Sequence, residues 1–469
     1  MERLSTGLRI NSSADDAAGM AITSRMEAAV RGMNQAIRNA MDAQALIDTA
    51  EGAQSETMNL LQRMRELAVQ SANDTNSQQD RTALNEEIIQ LSAEIERIAT
   101  TTTWAGQKVL DGTFVSKAFQ IGAFDGETLT VSQDSMKPSA IGEFQINTTA
   151  ATSGPDATTA ATDLTSTGFT VLGKSGSAAA TVTAGASAKA LAAAVNTDTS
   201  TTGVEAKAHT AIRLSLSGDP ITTTTFTLNG GGTAVSISAS VTDNADLTEL
   251  LSKINTYSGT TGVTAEFDGS DKSKLILREA DGDDIKIEAF TSTGSGGALT
   301  ATVQKQSNYE GTSWTTGATL TSAGTNSTIA TGVVRMSSTK DFTISGGTAT
   351  TGYNGANTSA ASSLSKVSDL SIATKAGAES AIAVLDTAIE KVAASRSSLG
   401  AVSNRLDSTV SNLTNIVGNT ESSRARIEDA DFAAESTNLA KSQILQQAAT
   451  AMLAQANATK QGVLQLLQG

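Results

Sequence analysis

The chain has 469 residues, a formal net charge of −15 at pH 7, 3% aromatic residues and no cysteine. This length allows two to four domains, the missing cysteine excludes disulfides and thiolate metal sites, and the acidic charge argues against nucleic acid and anionic membranes as partners. Charged Glu2 and Arg3 follow Met1, so no Sec-type signal peptide is visible, and no run of about 18 apolar residues predicts membrane insertion.

The segment 14–72 predicts one very long helix. It contains no proline, and its apolar residues recur at alternating steps of four and three, the heptad pattern of a helix that packs along other helices. Gln54 and Thr57 interrupt the pattern, and Ser12, Ser13 and Asp15 offer N-cap oxygens before it. The residues expected in the packed seam are Ile22, Met26, Ala29, Met33, Ala36, Ala40, Ala43, Ile47, Ala50, Leu61, Met64 and Ala68.

A polar break at 73–77 separates this helix from a second one, because short polar side chains bond their own backbone. The second helix ends at the threonine run 100–103, and two alternating segments then predict a β-hairpin with Asp125-Gly126 at its turn. The apolar stripe of the second helix consists of Leu84, Ile88, Leu91, Ile95 and Ile98. We expect 1–140 to form the N-terminal part of a helical core domain that includes this hairpin.

Helical periodicity disappears from 141 to 367, where threonine, serine and glycine dominate. An internal repeat occurs here, with apolar helix residues ending in Asn196 or Asn255, each followed by Thr-Thr-Gly-Val and an alanine. Each copy predicts a strand, a short helix and a further strand. We therefore interpret 141–367 as an insert made of two related α+β units, about 168–216 and 225–290, followed by 291–367.

Helical periodicity returns near Ala376 and continues for five heptads, with Gly418-Asn419 predicted as the C-terminal stop. Its apolar positions are Ile382, Leu385, Ile389, Val392, Leu399, Leu406, Val410, Leu413 and Val417. This helix assigns 368–428 to the helical core domain. A last helix occupies 429–469, and its broad apolar arc consists of Leu439, Ile444, Leu445, Ala448, Met452, Leu453 and Val463 to Leu467.

The fold class predicted from these patterns is a multidomain α+β protein. The two chain ends form a long antiparallel, coiled-coil-like helical bundle, and the central insert is rich in strands. The termini are expected to lie side by side, with the insert at the opposite end of the bundle.

Several polar clusters have both a chemical and an ordinary interpretation. His209 is the only histidine, which excludes an HExxH zinc site, and we expect it to be a solvated strand residue. The stretch Asp281-Gly282-Asp283-Asp284 has calcium-type oxygen ligands, but its spacing does not fit an EF-hand and an acidic turn is favoured. Asn229 with three following glycines lacks the Lys-Ser/Thr of a P-loop and is interpreted as a turn. With no set of nucleophile, base and orienting group, we expect no enzyme and no cofactor.

Five segments near the chain ends resemble the signatures of bacterial flagellins. They are ERLSTGLRIN at 2–11, DDAAG at 15–19, LQRMRELAVQSAN at 61–73, SRARIEDAD at 423–431 and QILQQA at 443–448. The segment 262–287 is also similar to a short motif of the flagellin insert.

The resemblance implies a structural subunit of the flagellar filament that assembles through its terminal helices and carries the variable insert on the filament surface. Such a protein is secreted to the extracellular flagellum without a Sec signal. The implied partners are other flagellin subunits, a flagellar export chaperone, the filament cap protein and the host Toll-like receptor that senses flagellin.

The resemblance also assigns a receptor or subunit contact surface on the first long helix. Arg63 and Leu67 match central receptor contact positions and Glu87 matches a supporting one, whereas the residue pattern alone describes a solvated helix face. The whole contact set is Gln62, Arg63, Arg65, Glu66, Leu67 and Glu87.

Flagellins carry a further segment before the position that matches Glu2, and it pairs with the last helix in the filament core. The resemblance suggests that this sequence begins after that segment. The residues expected to pack in the filament core are Leu439, Ile444, Leu445, Met452 and Leu453.

Two alternatives stay open. One is a flagellin-like cell-surface protein whose insert binds a ligand such as a polysaccharide, and the other is a hook-filament junction protein with the same terminal design. Sugar binding favours grouped aromatic platforms, but the aromatic residues of the insert are scattered at Tyr257, Tyr309, Trp314 and Tyr353.

Overall fold

The computed structural model describes residues 2–148, 168–183, 185–218, 222–269, 271–293, 300–311, 313–322, 324, 326–346 and 359–468. Met1, Tyr353 and the insert segments 149–167, 294–299 and 347–358 therefore lie outside the described residues. So do the side chains of Val463 to Leu467 in the last helix.

The first part of the chain contains helices α1 (Glu2–Thr6), α2 (Ala17–Ala72) and α3 (Gln78–Thr101). The predicted long helix is present as α2, which has 56 residues and a length of roughly 84 Å. Its N-cap is Asp16, whose Oδ1 accepts hydrogen bonds from the backbone N–H groups of Ala18 and Gly19 at 3.1 and 2.9 Å. The predicted caps Ser12, Ser13 and Asp15 were wrong because the chain enters the helix only at Ala17.

The connection after α2 follows the predicted polar break. Ser77 caps α3 and forms a capping box with Asp80, because the Ser77 hydroxyl accepts the Asp80 N–H and the Asp80 carboxylate accepts the Ser77 N–H. Four short strands then form two antiparallel pairs, and Gly126 occupies the second turn with a φ of +82°. These strands are β1 (Thr103–Trp104), β2 (Gln107–Lys108), β3 (Lys117–Gln120) and β4 (Thr128–Val131).

The insert contains strands and short helices in the described ranges. They are β5 (Gly142–Asn147), β6 (Phe169–Leu172), β7 (Ser177–Ala180), α4 (Ala188–Thr197), α5 (Thr199–Thr202), β8 (Glu205–Ser217), β9 (Thr222–Asn229), β10 (Val235–Val241), α6 (Thr248–Thr256), α7 (Ser258–Thr261), β11 (Thr264–Asp268), β12 (Asp271–Glu279), β13 (Ile285–Thr293), β14 (Thr300–Gln306), β15 (Trp314–Thr321), β16 (Thr328–Ala330), β17 (Val333–Ser338), β18 (Thr343–Ser345), β19 (Ser359–Ala361) and β20 (Ser363–Lys366).

These strands form three antiparallel sheets. The largest has the order β11-β12-β8-β17-β5-β20, with β14 joined to β8 and β15 joined to β14. The other two have the orders β10-β9-β13-β16 and β19-β18-β6-β7. The 13-residue strand β8 pairs with β12, β14 and β17, so it connects the two repeat units of the insert.

The two repeat copies share a local structure as well as a sequence. In each copy two strands precede a helix, a one-turn helix and a glycine with positive φ, namely Gly203 and Gly262. The Asn196 side chain donates to the Ala206 carbonyl and accepts from the Ala206 N–H, at 2.8 and 2.7 Å. Asn255 binds Ala265 in the same way, at 2.9 and 2.8 Å. The repeated asparagine therefore ties each helix to the strand that follows it.

Two long helices complete the chain, α8 (Lys375–Glu428) and α9 (Phe432–Gln468). The predicted stop at Gly418-Asn419 was wrong, since α8 continues to Glu428 and its C-cap is Asp429. A glycine that ends a helix as a C-terminal cap adopts a positive φ, and the φ of Gly418 is not positive. A glycine inside a helix costs only about 1 kcal/mol, which the packing of α8 offsets.

The bundle core lies between α2 and α8, which run antiparallel. Near one end Val30 packs with Val417, and near the other the Ser71 hydroxyl donates to the Ile372 carbonyl at 2.6 Å. Of the predicted seam residues, the fully packed ones are Met33, Ala36, Ala40, Ala43, Ile47, Ala50, Leu61, Met64, Ala68, Leu385, Val392, Leu399, Leu406, Leu413 and Val417. Those that are partly buried are Met26, Ala29, Ile382, Ile389 and Val410.

Ile22 does not pack in the seam, because 36% of it is exposed. It lies before the last apolar layer of the bundle, which α2 enters at Val30. The last buried residue of α8 is Val417, which packs in the same layer as Val30.

The insert joins the bundle at the end where α2 finishes and α8 begins. The Lys375 ammonium lies 2.8 Å from Asp74 Oδ2 and 3.6 Å from Glu266 Oε2, and so it contacts both the bundle and the insert. At the opposite end the chain ends meet: the Arg9 N–H donates to the Glu428 carbonyl at 2.6 Å, and the Ala430 N–H donates to Gly7 at 2.9 Å. The fold class predicted from the sequence is therefore confirmed.

Candidate functional site

The last helix presents an unpartnered apolar surface. α9 starts where the chain ends meet, and its first turn is capped by Asp431, which accepts the N–H groups of Ala433 and Ala434 at 2.9 and 3.2 Å. Beyond this point the helix has few neighbours in its own chain. Four large apolar side chains in the middle of the helix are 59–70% exposed, and they are Ile444, Leu445, Met452 and Leu453. Leu439, nearer the junction, is partly buried. We name the exposed set the α9 apolar arc.

A charged surface lies where α2 faces α3. Arg63 donates from Nε and Nη2 to Glu87 Oε1 at 3.0 and 2.9 Å, and from Nη1 to Glu66 Oε2 at 3.1 Å. These hydrogen bonds, first to Glu87 and then to Glu66, raise the pKa of Arg63. Because half of the Arg63 side chain stays exposed, the guanidinium is both oriented and accessible.

The neighbouring residues of the contact set divide into exposed and buried ones. Gln62 is exposed, and Arg65 donates from Nε to Asp386 on α8 at 2.5 Å. Leu67 is only 1% exposed, so its expected role as a surface contact was wrong. It follows Met64 by three positions on the inward face of α2 and belongs to the bundle core. The residues of the predicted contact set that remain accessible are Gln62, Arg63, Arg65, Glu66 and, in part, Glu87.

His209 is not the solvated strand residue that the sequence suggested. Its Nε2 lies 3.1 Å from Gln306 Oε1, and its ring makes an edge-on contact with Tyr309 at 4.5 Å between centroids. Burial is the main cause that lowers the pKa of His209 to about 4. The imidazole is therefore neutral at physiological pH.

The acidic stretch 281–284 forms a turn in which Gly282 has a φ of +90°. Lys189 Nζ lies 3.1 Å from Asp281 Oδ2 and 2.8 Å from Asp283 Oδ2, and these carboxylates raise the pKa of Lys189. A lysine therefore occupies the place that a cation ligated by both carboxylates needs. Within the described residues no group of three or more His, Asp or Glu is arranged to hold a metal ion.

The segment after β9 is also a turn. The Asn229 side chain accepts the Gly231 N–H at 2.9 Å, and the chain then reverses into the antiparallel strand β10. No helix within the described ranges is long and apolar enough to cross a bilayer.

The sequence interpretation missed side-chain pairs that are far apart in the sequence and that only the tertiary fold brings into contact. Asp386, the partner of Arg65, lies 321 positions away on α8. Arg335 and Glu143, both buried, face each other from paired strands β17 and β5. Their positions carry no periodic signal, so the sequence could not have assigned them.

The fold and these surfaces define a self-associating structural protein. Two long packed helices support a third whose apolar arc is exposed among the residues that the structure describes, which is the arrangement of a subunit that buries the surface against other chains. Contacts of this type between different faces build open helical assemblies when the symmetry does not close.

Comparisons with known proteins give the family. The chain matches the bacterial flagellin N-terminal helical region at residues 1–115, the bacterial flagellin C-terminal helical region at 382–467 and the flagellin hook IN motif at 225–281. It is 39% identical over 469 residues to B-type flagellin of Pseudomonas aeruginosa, and this alignment covers 100% of this chain and 94% of that protein. It is 33% identical over 470 residues to flagellin B of Vibrio anguillarum, spanning 100% and 92%.

Among solved structures, FliC of Burkholderia pseudomallei matches with 17% identity over 77% of this chain and 99% of that one, at a TM-score of 0.31.

The chain belongs to the bacterial flagellins and is a structural subunit of the extracellular flagellar filament. The resemblance noted in the end segments is thereby confirmed.

Proposed function

We propose that this flagellin assembles chiefly through the α9 apolar arc, which other subunits cover in the core of the filament. The observation that carries this proposal is the exposure of Ile444, Leu445, Met452 and Leu453 on a helix of 37 residues. An isolated helix is marginal in water and gains its stability from packing. Each large apolar side chain that becomes fully buried contributes about 1.5–3 kcal/mol.

The experiment compares two charge substitutions on the same helix. Leu445→Asp places a carboxylate in the arc, whereas Gln447→Asp places one about 200° further around the helix, since consecutive residues are 100° apart. The full chain is added to filament fragments, and elongation is followed by light scattering. We expect Leu445→Asp to abolish elongation and Gln447→Asp to retain it, with equal helix content in both. Equal elongation of the two variants contradicts the proposal.

The division of labour within the chain follows from this assembly. The helical core domain consists of 1–140 and 368–428, since one buried cluster contains residues of α2, α3 and α8. The helix at 429–469 supplies the filament core. The insert at 141–367 lies on the filament surface, because it extends from the end of the bundle opposite the junction that leads into α9.

The charged surface on α2 has a second role in this proposal, as the contact for the host Toll-like receptor that senses flagellin. Its support is the accessible, oriented guanidinium of Arg63, together with Gln62, Arg65, Glu66 and Glu87. Arginine is among the residues enriched at interface hot spots.

The same apolar arc needs cover before assembly. A flagellar export chaperone is the partner proposed for the free subunit, and the filament cap protein is the partner proposed at the growing end. Export then proceeds without a Sec signal. The support for a chaperone is the aggregation hazard that a contiguous exposed apolar helix surface represents.

A further inference from the structure

A cavity of about 530 Å³ lies between the insert and the first part of α8. The insert supplies Lys207 from β8, Arg278 from β12, Arg335 from β17 and the ring of Tyr309, and α8 supplies Ile382 and Glu379. This volume is within the range of sites that bind small molecules. The proposed assembly through α9 does not use the cavity.

Arg335 is the central group of this cavity. It is 4% exposed, and its guanidinium lies 4.7 Å from the centre of the Tyr309 ring. Its Nη1 has no hydrogen-bond acceptor in the described part of the chain, and its Nη2 is 3.8 Å from Glu143 Oε2, too far for a hydrogen bond. Buried donors of this kind are nearly always satisfied, because an unpaired one costs free energy. Within the described residues Arg335 Nη1 is thus a buried donor without an acceptor, and the acceptor of a bound ligand would satisfy it.

The other charges around the cavity leave further donors free. Lys207 makes no hydrogen bond or ion pair with any described residue, and Arg278 uses only its Nε, which donates to Glu266 at 2.5 Å. Two of the lining carboxylates are already occupied, because Asp386 binds Arg65 and Glu279 accepts backbone N–H groups of its own turn. The free groups are thus donors of three cationic side chains, Lys207, Arg278 and Arg335, which lie beside the carboxylates of Glu379 and Glu310.

We infer that this cavity binds a small organic anion with one carboxylate, held by Arg335 and packed on Tyr309 and Ile382. A guanidinium fork matches the two oxygens of a carboxylate. The aromatic ring and the Ile382 side chain suit an apolar or ring-shaped body. A dianion such as phosphate is disfavoured, because Glu379 and Glu310 also line the cavity and repel additional negative charge. The ligand would contact both the insert and α8, and so would fix their relative position.

The test uses benzoate as the probe and isothermal titration calorimetry on the full chain as the measurement. Benzamide is the matched neutral compound, since it keeps the ring but loses the charge. Inorganic phosphate is the dianionic comparison. We expect saturable benzoate binding, no saturation with benzamide and binding of phosphate that is at least about tenfold weaker. Benzoate binding no tighter than that of benzamide or phosphate overturns the inference.

Variants locate the binding in the cavity. Arg335→Lys keeps the charge and loses the fork, and it should weaken benzoate binding about tenfold or more. Arg213→Lys is the matched control, because Arg213 also stacks on an aromatic ring, 5.4 Å from Trp314, but does not line the cavity. The benzoate affinity of Arg213→Lys should stay within about twofold of that of the unchanged chain.

If Arg335→Lys unfolds the insert, Lys207→Gln provides the second variant, since Lys207 is exposed and no described residue pairs with it. It should weaken benzoate binding by about threefold or more. Wild-type affinity in the folded cavity variant contradicts the inference.

Discussion

The side-chain amide of Gln54 donates to the Ser395 hydroxyl at 3.2 Å in the middle of the α2–α8 interface. Gln133 Nε2 donates to the same oxygen at 3.0 Å, so one serine joins α2, α8 and the segment after β4. Gln54 is fully buried, and its Oε1 has no partner among the described residues. A buried polar residue in a heptad seam fixes the register of the helices at a cost in stability.

The first prediction concerns this polar layer. Gln54→Leu should raise the free energy of unfolding by about 1 kcal/mol, because it removes an unpaired buried oxygen. The measurement is the urea unfolding midpoint followed by circular dichroism at 222 nm. Gln62→Leu, an exposed position on the same helix, should change stability by less than about 0.5 kcal/mol. A lower midpoint for Gln54→Leu than for Gln62→Leu contradicts the prediction.

The second prediction concerns the asparagine that recurs in the two repeat units. Asn255→Ala removes both side-chain hydrogen bonds to Ala265 and should destabilise the second unit by about 1–2 kcal/mol. The measurement is hydrogen exchange at the Ala265 amide. Lys253→Ala on the exposed face of α6 is the control and should leave that rate nearly unchanged. An unchanged Ala265 rate in Asn255→Ala means that the asparagine does not hold the strand.

The third prediction concerns recognition by the host. Arg63→Ala should strongly reduce Toll-like receptor signalling in a cell reporter assay, since truncating a central arginine at an interface costs about 2 kcal/mol or more. Thermal stability should change by less than about 0.5 kcal/mol, because the side chain is half exposed.

Arg31→Ala is the matched control for the receptor surface. Arg31 lies on the same helix and pairs with Glu27, but its side chain is more exposed and far from Glu87. Its variant should signal normally. Equal signalling by the Arg63 and Arg31 variants places the receptor contact elsewhere.

The fourth prediction concerns pH. Burial, with a contribution from Asp283, raises the pKa of Asp284 from 3.8 to about 6, and its Oδ1 has no partner among the described residues. Between pH 4 and pH 6 the folded chain therefore binds more protons than the unfolded chain, so this group makes stability fall as the pH rises through that window. Asp284→Asn should stabilise the insert by about 1 kcal/mol at pH 7 and have little effect at pH 4.

His209 acts in the opposite direction. Its pKa is lowered to about 4 from 6.5, so its contribution is present above pH 6.5 and is lost as the pH falls toward 4. The difference between Asp284→Asn and the unchanged chain isolates the carboxyl group, since both contain His209. The measurement is the thermal unfolding midpoint at pH 4, 5, 6 and 7. A difference that does not grow with pH contradicts the raised pKa.

The sequence predicted the features that depend on local periodicity. The seams of α2 and α8 were evident because a heptad repeat records one buried face directly. Helix ends were harder to predict, since Asp15 and Asp16 are both good caps and Gly418 lies inside a helix that continues to Glu428. Burial at Leu67 follows from its position after Met64, whereas the family resemblance gave only its contact role.

Features that depend on distant pairing could not be predicted. His209 is partly buried because β14 brings Gln306, 97 positions away, against its ring. The unsatisfied guanidinium of Arg335 likewise results from strands that only the tertiary fold pairs. Chemistry between distant segments has no periodic signature in one sequence, so the cavity had to come from the structure.

The entry and exit of the insert are themselves bonded to each other. Strand β5 leaves the bundle and pairs antiparallel with β20, which returns to it, from Gly142 opposite Lys366 to Gln145 opposite Ser363. The two segments that connect the insert to the bundle are therefore hydrogen-bonded to each other, independently of the other strands of the insert. Segments inserted where chain ends lie close together are well tolerated. The part of the insert beyond the β5–β20 pair can thus be lengthened or replaced in evolution without shifting the alignment of α2 and α8.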